Sequence, residues 1–285
     1  RLKVGTLPEA DAATVSAPAI DLKARRAMSP VASADKNAPA WTFAWPRERT
    51  GLLTMPGWAL YNSAWDWKGF LDGVFTEIAD RRATGLVVDL RGNEGGLDCG
   101  HEIISRLIDK DLVVEGYERR VRYRKVPDDL NQHLDTWDDS FRDWGDAVTP
   151  LDDRFFIQRK YDDDARGEVI TAKGPRFAGK VAVLTDSQNS SATFQFARIV
   201  QDNRLATLIG EPTGGNKRGI NGGAFFFMRL PKSGIEVDIP LIGYFSKRPQ
   251  PDEGLAPDMS AAPTIDDIRE GRDAALEAAI TFASV

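Results

Sequence analysis

Two apolar, β-branched runs, each leading through a polar turn into an amphipathic helix, constrain this 285-residue chain more than any other feature. The first run is Gly85-Leu86-Val87-Val88-Asp89-Leu90. It is followed by Arg91-Gly92-Asn93-Glu94-Gly95-Gly96 and then by Ile103, Ile104 and Leu107 at helical spacing. The second is Val181-Ala182-Val183-Leu184-Thr185. After the polar break Asp186-Ser187-Gln188-Asn189-Ser190, a helix beginning at Ser191 carries Phe196, Ile199 and Val200 on one face. Short runs apolar at nearly every position suit strands covered on both faces, and strand–helix–strand repetition demands crossover connections. The expected fold is therefore α/β, a mixed, largely parallel sheet with crossover helices.

Other segments fit around that core. Gly51 to Pro56 reads as a strand, Phe70, Leu71, Val74, Phe75 and Ile78 as a helix stripe, and Leu205 to Glu211 as a further strand. Ala224–Met228 and Ile235–Phe245 read as a hairpin turned by Pro231-Lys232-Ser233-Gly234. A closing helix starts at its N-cap Thr264, with Asp266 and Asp267 in the first turn and Ile268, Leu276 and Ile280 on its apolar face. Residues 1–40 are expected to be an N-terminal segment or linker, or the remnant of a preceding domain. Val15-Ser16-Ala17-Pro18 reads there as a strand end, and Met28 to Pro39 as the linker. The main domain is expected over 41–285, with an insertion around 114–165. Within the insertion, Tyr117 to Val126 reads as an exposed strand. Leu130, Leu134, Trp137, Phe141 and Trp144 then follow spacings of one helix face, for a helix packed on the domain body, a lid or a partner-docking element.

Composition excludes some functions. A net charge of −6 is unfavourable for nucleic-acid binding, which needs clustered cations. No apolar run is long enough to span a bilayer, so no membrane span is expected. A single cysteine, Cys99, rules out an internal disulfide and a cysteine-based zinc site; it is either a buried thiol or a nucleophile. Nothing in the sequence calls for a cofactor or a metal.

Ligands of open α/β sheets bind beyond the carboxyl ends of the strands, so the glycine turn after Leu90 and Ser191 are expected at one common edge. A hydroxyl at a helix N-terminus meets free N–H groups and the positive end of the helix dipole, a place that suits either a developing oxyanion or an ordinary N-cap. The glycines lack the Gly-x-Gly-x-x-Gly spacing of dinucleotide folds, and no P-loop Lys-Ser/Thr follows. Two adjacent glycines instead point to close backbone approach, with N–H groups free to hold a carbonyl or an anion.

These residues carry a resemblance. Asp89-Leu90-Arg91-Gly92-Asn93-Glu94-Gly95-Gly96 is similar to the Asp-Leu-Arg-x-Asn-x-Gly-Gly motif of the tail-specific, or C-terminal processing, serine peptidases (peptidase family S41). Ser191-Ala192-Thr193 resembles the family's nucleophile segment. Gln201-Asp202-Asn203, Gly210-Glu211-Pro212-Thr213 and Gly254-Leu255-Ala256-Pro257-Asp258 match later segments in family order, over about residues 50–285. The resemblance implies a ClpP/crotonase-like core, a peptide or protein substrate, and a place in the cell envelope, periplasmic or secreted. Ser191 would be the nucleophile, forming an acyl-enzyme. The backbone N–H groups of Ala192 and of Gly95 or Gly96 would form the oxyanion hole, and Asp202 would support the site beside a cation such as Lys217. The family's lysine base falls on Asn216, and Lys217 is one residue on. It is the candidate base, with Arg218 beside it to favour the neutral amine. A second branch of the family uses a His–Glu pair. Thr54 stands at its histidine position, His101 and His133 fall elsewhere, and Asp252 and Glu253 lie near its acidic member, as secondary candidates. Loss of the usual lysine also fits a non-catalytic module of the same fold that binds a peptide or an apolar ligand, the Phe225-Phe226-Phe227 run being one candidate lining. An esterase is a third possibility.

Overall fold

The apolar runs read from the sequence form the centre of a six-stranded sheet in the computed structural model, which describes residues 2–4, 13–15, 40–159 and 167–285. The chain divides into two units, Arg1–Ala38 and Pro39–Val285. In the first, Leu2–Val4 (β1) pairs antiparallel with Ala13–Val15 (β2). The segment read as a linker, 28–39, and residues 16–18 lie outside the described residues.

The second unit opens on a hairpin of Thr42–Arg47 (β3) and Thr50–Thr54 (β4). Trp67–Asp80 (α1) is capped by the Asp66 side chain on the Gly69 N–H and buries Leu71, Val74, Phe75 and Ile78, four of the five residues of the expected stripe. Gly85–Asp89 (β5) is buried at every position, and Gly100–Ile104 (α2) follows the glycine turn. The insertion contributes Leu112–Val114 (β6), Tyr117–Val121 (β7), Asp128–Asn131 (α3), Leu134–Asp135 (β8), Val148–Pro150 (β9), Phe156–Gln158 (β10) and Glu168–Ile170 (β11). Lys180–Thr185 (β12), Ser191–Asp202 (α4) and Thr207–Gly210 (β13) repeat the strand–turn–helix–strand unit. Gly219–Arg229 (β14) and Glu236–Ser246 (β15) form the long hairpin. Met259–Ser260 (β16), Ile265–Glu270 (α5) and Ala274–Ala283 (α6) complete the chain.

The first sheet runs β16-β13-β12-β5-β4-β3, parallel throughout except for the β3/β4 pair. Alternation along its strands sorts two apolar layers. Leu86, Val88, Val181, Val183 and Leu208 pack with residues of α1, α2 and α4, whereas Val87, Ala182, Leu184 and Ile209 pack with Ala275, Ala279 and Ala283 of α6. Each fully buried Leu, Val or Ile here contributes roughly 1.5–3 kcal/mol of transfer free energy. The second sheet, β8-β14-β15-β7-β10-β9, is antiparallel and has its own core around Val121, Phe141, Trp144, Phe226 and Ile242.

The structure corrects three expectations. Tyr117–Val121 is not an exposed strand but an interior one, paired with β15 on one side and β10 on the other, with Arg119 and Val121 buried. The helix expected over 130–144 is replaced by α3, β8 and two short 3-10 turns, Asp139–Arg142 and Gly145–Ala147. Asp138 and Asp143 accept from the Ser140 and Gly145 N–H groups, a local alternative to helical bonding. Leu134, Phe141 and Trp144 still reach the core, while Leu130 and Trp137 do not. The closing helix is two helices, broken at Gly271, which adopts the left-handed conformation at φ +66°, and Ile268 is exposed.

One ion-pair relay ties this last element to the sheet. Arg91 donates to both Asp89 oxygens and to both oxygens of Asp273, the N-cap of α6. These bonds hold the Asp273 carboxyl below the usual carboxylate range. A depressed carboxylate contributes stability that is present above its unfolded value, near 3.9, and is lost as pH falls through the folded one. Thermal melts of Asp273→Asn should therefore show a shallower loss of stability below about pH 4 than the parent; an unchanged acid limb would refute the coupling.

Candidate functional site

Ser191 is the first residue of α4 and has φ +50°, a left-handed conformation that a serine adopts at a cost of about 1–3 kcal/mol. It is not the cap of the helix. Ser190 holds that position and spends its hydroxyl on the Glu94 carbonyl, 3.0 Å away. The first turn of α4 carries no acidic residue, so no side-chain charge offsets the positive end of its dipole. Ser191 is exposed, and among the described residues its Oγ makes no hydrogen bond.

The diglycine bend lies directly beside it. A Cβ on Gly95, φ +100°, would sit 2.9 Å from both Ser191 Cβ and the Ala192 nitrogen. A Cβ on Gly96, φ +138°, would strike the Trp58 carbonyl at 2.2 Å. Both positions thus require glycine, for conformation and for room. The two candidate donors differ. Gly95 gives its N–H to Asn93 Oδ1 at 2.9 Å, whereas the Gly96 and Ala192 N–H groups have no acceptor among the described residues.

Buried polar residues lock this geometry. Asn93 and Asn189 are both fully buried. Asn189 Nδ2 donates to the Leu90 carbonyl at 2.6 Å, its Oδ1 accepts from the Asp186 N–H, and its carbonyl accepts from Gly214 and Gly215, 3.0 Å each. Asp186 Oδ2 accepts from the Gly92 N–H at 2.8 Å. The turns after β5, β12 and β13 are therefore one hydrogen-bonded assembly at the carboxyl edge of the parallel sheet. Sequence reasoning left Asp186 and Asn189 as parts of a polar break. The one available signal was a polar residue immediately past a fully apolar strand, where free backbone groups need partners.

The remaining candidates fall into place as follows. Lys217 does not meet Ser191: its Nζ is 3.1 Å from Glu253 Oε1, and its backbone N–H donates to the Glu253 carbonyl at 2.9 Å. Arg218, expected to act on Lys217, is instead paired with Asp252 at 3.0 Å. Asn216 also reaches Asp252. Asp252 and Glu253 are thus partners of these cations, and no histidine joins them. Asp202 is at the far end of α4, about 16 Å along the axis from Ser191. It pairs with Arg198 at 3.5 Å, not with Lys217. Past the helix end, Arg204 adopts the left-handed conformation at φ +55°. His101 is 3.1 Å from Glu168, and His133 is exposed. Cys99 is buried, and desolvation, reinforced by the Asp98 charge, pushes its thiol up to about 12, which removes it as a nucleophile. No group of His, Cys, Asp and Glu among the described residues could hold a metal, and no described helix is long and apolar enough to cross a membrane.

An exposed serine on a strained strand-to-helix turn thus faces a glycine bend at the carboxyl edge of a parallel sheet, the edge at which ligands of open α/β sheets bind. The family follows from the sequence match: the model described as Peptidase family S41 matches residues 49–261, about three quarters of the chain, which therefore belongs to that family. A search of curated protein sequences returns no match. Among solved structures, a protein of Parabacteroides merdae ATCC 43184 assigned as a peptidase aligns with a TM-score of 0.52 at 22% identity, over 87% of this chain and 65% of that one. Mature CPAF, solved in complex with lactacystin, aligns with a TM-score of 0.53 at 17% identity, over 82% of this chain and 51% of that one. These neighbours share the fold, and the chain spans between about half and two thirds of their length.

Proposed function

We propose that this chain is a serine peptidase domain that cleaves peptide bonds through an acyl-enzyme on Ser191. The observation that carries the reading is the left-handed Ser191 at the start of α4, packed against Gly95 with unclaimed N–H groups at Ala192 and Gly96. Strain of this kind persists only where the surroundings impose it. Ser191 Oγ attacks the scissile carbonyl, the Ala192 and Gly96 N–H groups hold the tetrahedral oxyanion, and the amine leaves with a proton. Water then hydrolyses the ester. Lys217 acts as base after its Nζ exchanges Glu253 for Ser191, taking the hydroxyl proton and passing it to the leaving amine. Glu253 holds Lys217 only in the resting site, Asp252 stays with Asn216 and Arg218, and Asp202 has no direct part. The substrate is an extended peptide or protein segment bound by strand addition. The edge of β14 near Gly219–Gly222 suits it: β15 covers one side, and β8 reaches the other only at Phe227 and Met228. A cell-envelope location, periplasmic or secreted, is part of the same proposal.

A second reading, a non-catalytic module that binds a peptide or an apolar ligand, is favoured by one observation: Ser191 Oγ has no base within hydrogen-bond reach, and Lys217 is held by Glu253. Labelling the native protein with a fluorophosphonate, followed by peptide mapping, separates the two. The peptidase reading expects a stoichiometric adduct on Ser191 that vanishes in Ser191→Ala. No adduct at any pH up to 10 would leave the binding module.

A further inference from the structure

We infer that Asn93 is the positioning residue of the oxyanion site, a role that rests on the peptidase reading above. Its carboxamide is fully buried and works in three directions. Oδ1 accepts from the Gly95 N–H and from Thr193 Oγ1, both at 2.9 Å, and Nδ2 donates to the Met55 carbonyl at 2.8 Å. Its own backbone carbonyl accepts from Asn189 Nδ2 at 3.2 Å. Thr193 is fully buried as well, and it directly follows Ala192. A single oxygen atom therefore grips both halves of the site: the glycine bend through Gly95 and the base of α4 through Thr193.

This arrangement decides which glycine donates. Asn93 occupies the Gly95 N–H, which leaves Gly96. The Gly95 carbonyl accepts from the Trp58 N–H at 3.2 Å, and the trans peptide sets the Gly96 N–H opposite to that carbonyl, pointing away from Trp58. The Gly96 donor is thus aimed by a clamp on each side of its peptide plane, Asn93 before it and Trp58 across it. Only a carboxamide fills the position. Two donors converge on one atom and a carbonyl faces the other, so the side chain must both accept and donate. An aspartate would set a carboxylate oxygen against the Met55 carbonyl.

Pre-aimed donors act on the transition state, so their loss should appear in the rate of bond formation rather than in probe binding. The test measures kinact and KI for a fluorophosphonate, with thermal midpoints, on the parent, Asn93→Ala and Thr193→Val. Asn93→Ala is expected to lower kinact about 100- to 1000-fold with KI changed by less than about threefold. Thr193→Val keeps the shape of the side chain and the Asn93–Gly95 bond, so it folds if Asn93→Ala does not, and it is expected to lower kinact roughly tenfold. A parent that labels on Ser191 while a folded Asn93→Ala, or Thr193→Val, labels at the parental kinact overturns this inference alone. A parent that does not label overturns the peptidase reading and the inference with it.

Discussion

Ser191→Gly will abolish labelling and at the same time make the protein more stable. Ser191 sits at φ +50°, where a Cβ costs about 1–3 kcal/mol and glycine costs nothing. Glycine gives back about 0.4–1 kcal/mol through the greater freedom of its unfolded chain. The net gain is on the order of 1 kcal/mol, a rise of about 2–4 °C in midpoint for a domain of this size. Ser191→Ala removes the same hydroxyl but retains the Cβ, so it should change stability by less than about 0.5 kcal/mol. Calorimetry on the three proteins checks the order Gly above Ala and parent. A destabilised Ser191→Gly would show that the backbone there is unstrained, and with it would go the argument that the turn is held for chemistry. Removal of a serine nucleophile costs on the order of 10⁶ in turnover, so residual labelling of either variant would exclude Ser191 as the nucleophile.

Gly95→Ala is the second large effect. Its new methyl lands 2.9 Å from Ser191 Cβ and from the Ala192 nitrogen, and 3.0 Å from the Ser190 carbonyl. These are backbone atoms and a Cβ at a helix start locked by Asn93 and Asn189, so none can swing aside as a long side chain would. Overpacking of about 1–3 kcal/mol adds to a left-handed penalty of similar size. The domain should lose about 2–5 kcal/mol in urea unfolding, and fluorophosphonate labelling should fall at least 100-fold in the fraction that remains folded. Alanine at Gly92, φ +77°, is the control: a Cβ there meets nothing within 4 Å, so it should carry the strain of conformation without the displacement of Ser191. Equal labelling of the two variants would mean that proximity of the bend to Ser191 does not matter.

The parallel sheet and the meeting of Ser191 with the diglycine bend were legible because each rests on a local pattern: apolar runs of strand length, glycines where the backbone turns left, and a rule that sends both turns to one edge. The insertion was not. Leu134, Phe141 and Trp144 are buried as their spacing implied, but aspartates at 138 and 143 bind nearby backbone and break the helix that the same spacing suggested. Lys217 was beyond sequence reasoning for a different reason. Its place one residue past the family's lysine position says nothing of Glu253, thirty-six residues away, which holds its Nζ. Asn93 was quoted within a motif yet had no role, because burial and three-way bonding are properties of the folded turn alone.

The peptide of Asn189 joins three stretches that are remote along the chain: its side chain holds Leu90, and its carbonyl holds Gly214 and Gly215. Backbone atoms take part in each of these ties, so they tolerate changes of side chain but not of length. An added or deleted residue in any one of the three turns would pull the other two out of step. The segment between Leu112 and Ile170 is touched by none of these bonds, so a change of length there leaves the edge that carries Ser191 in register.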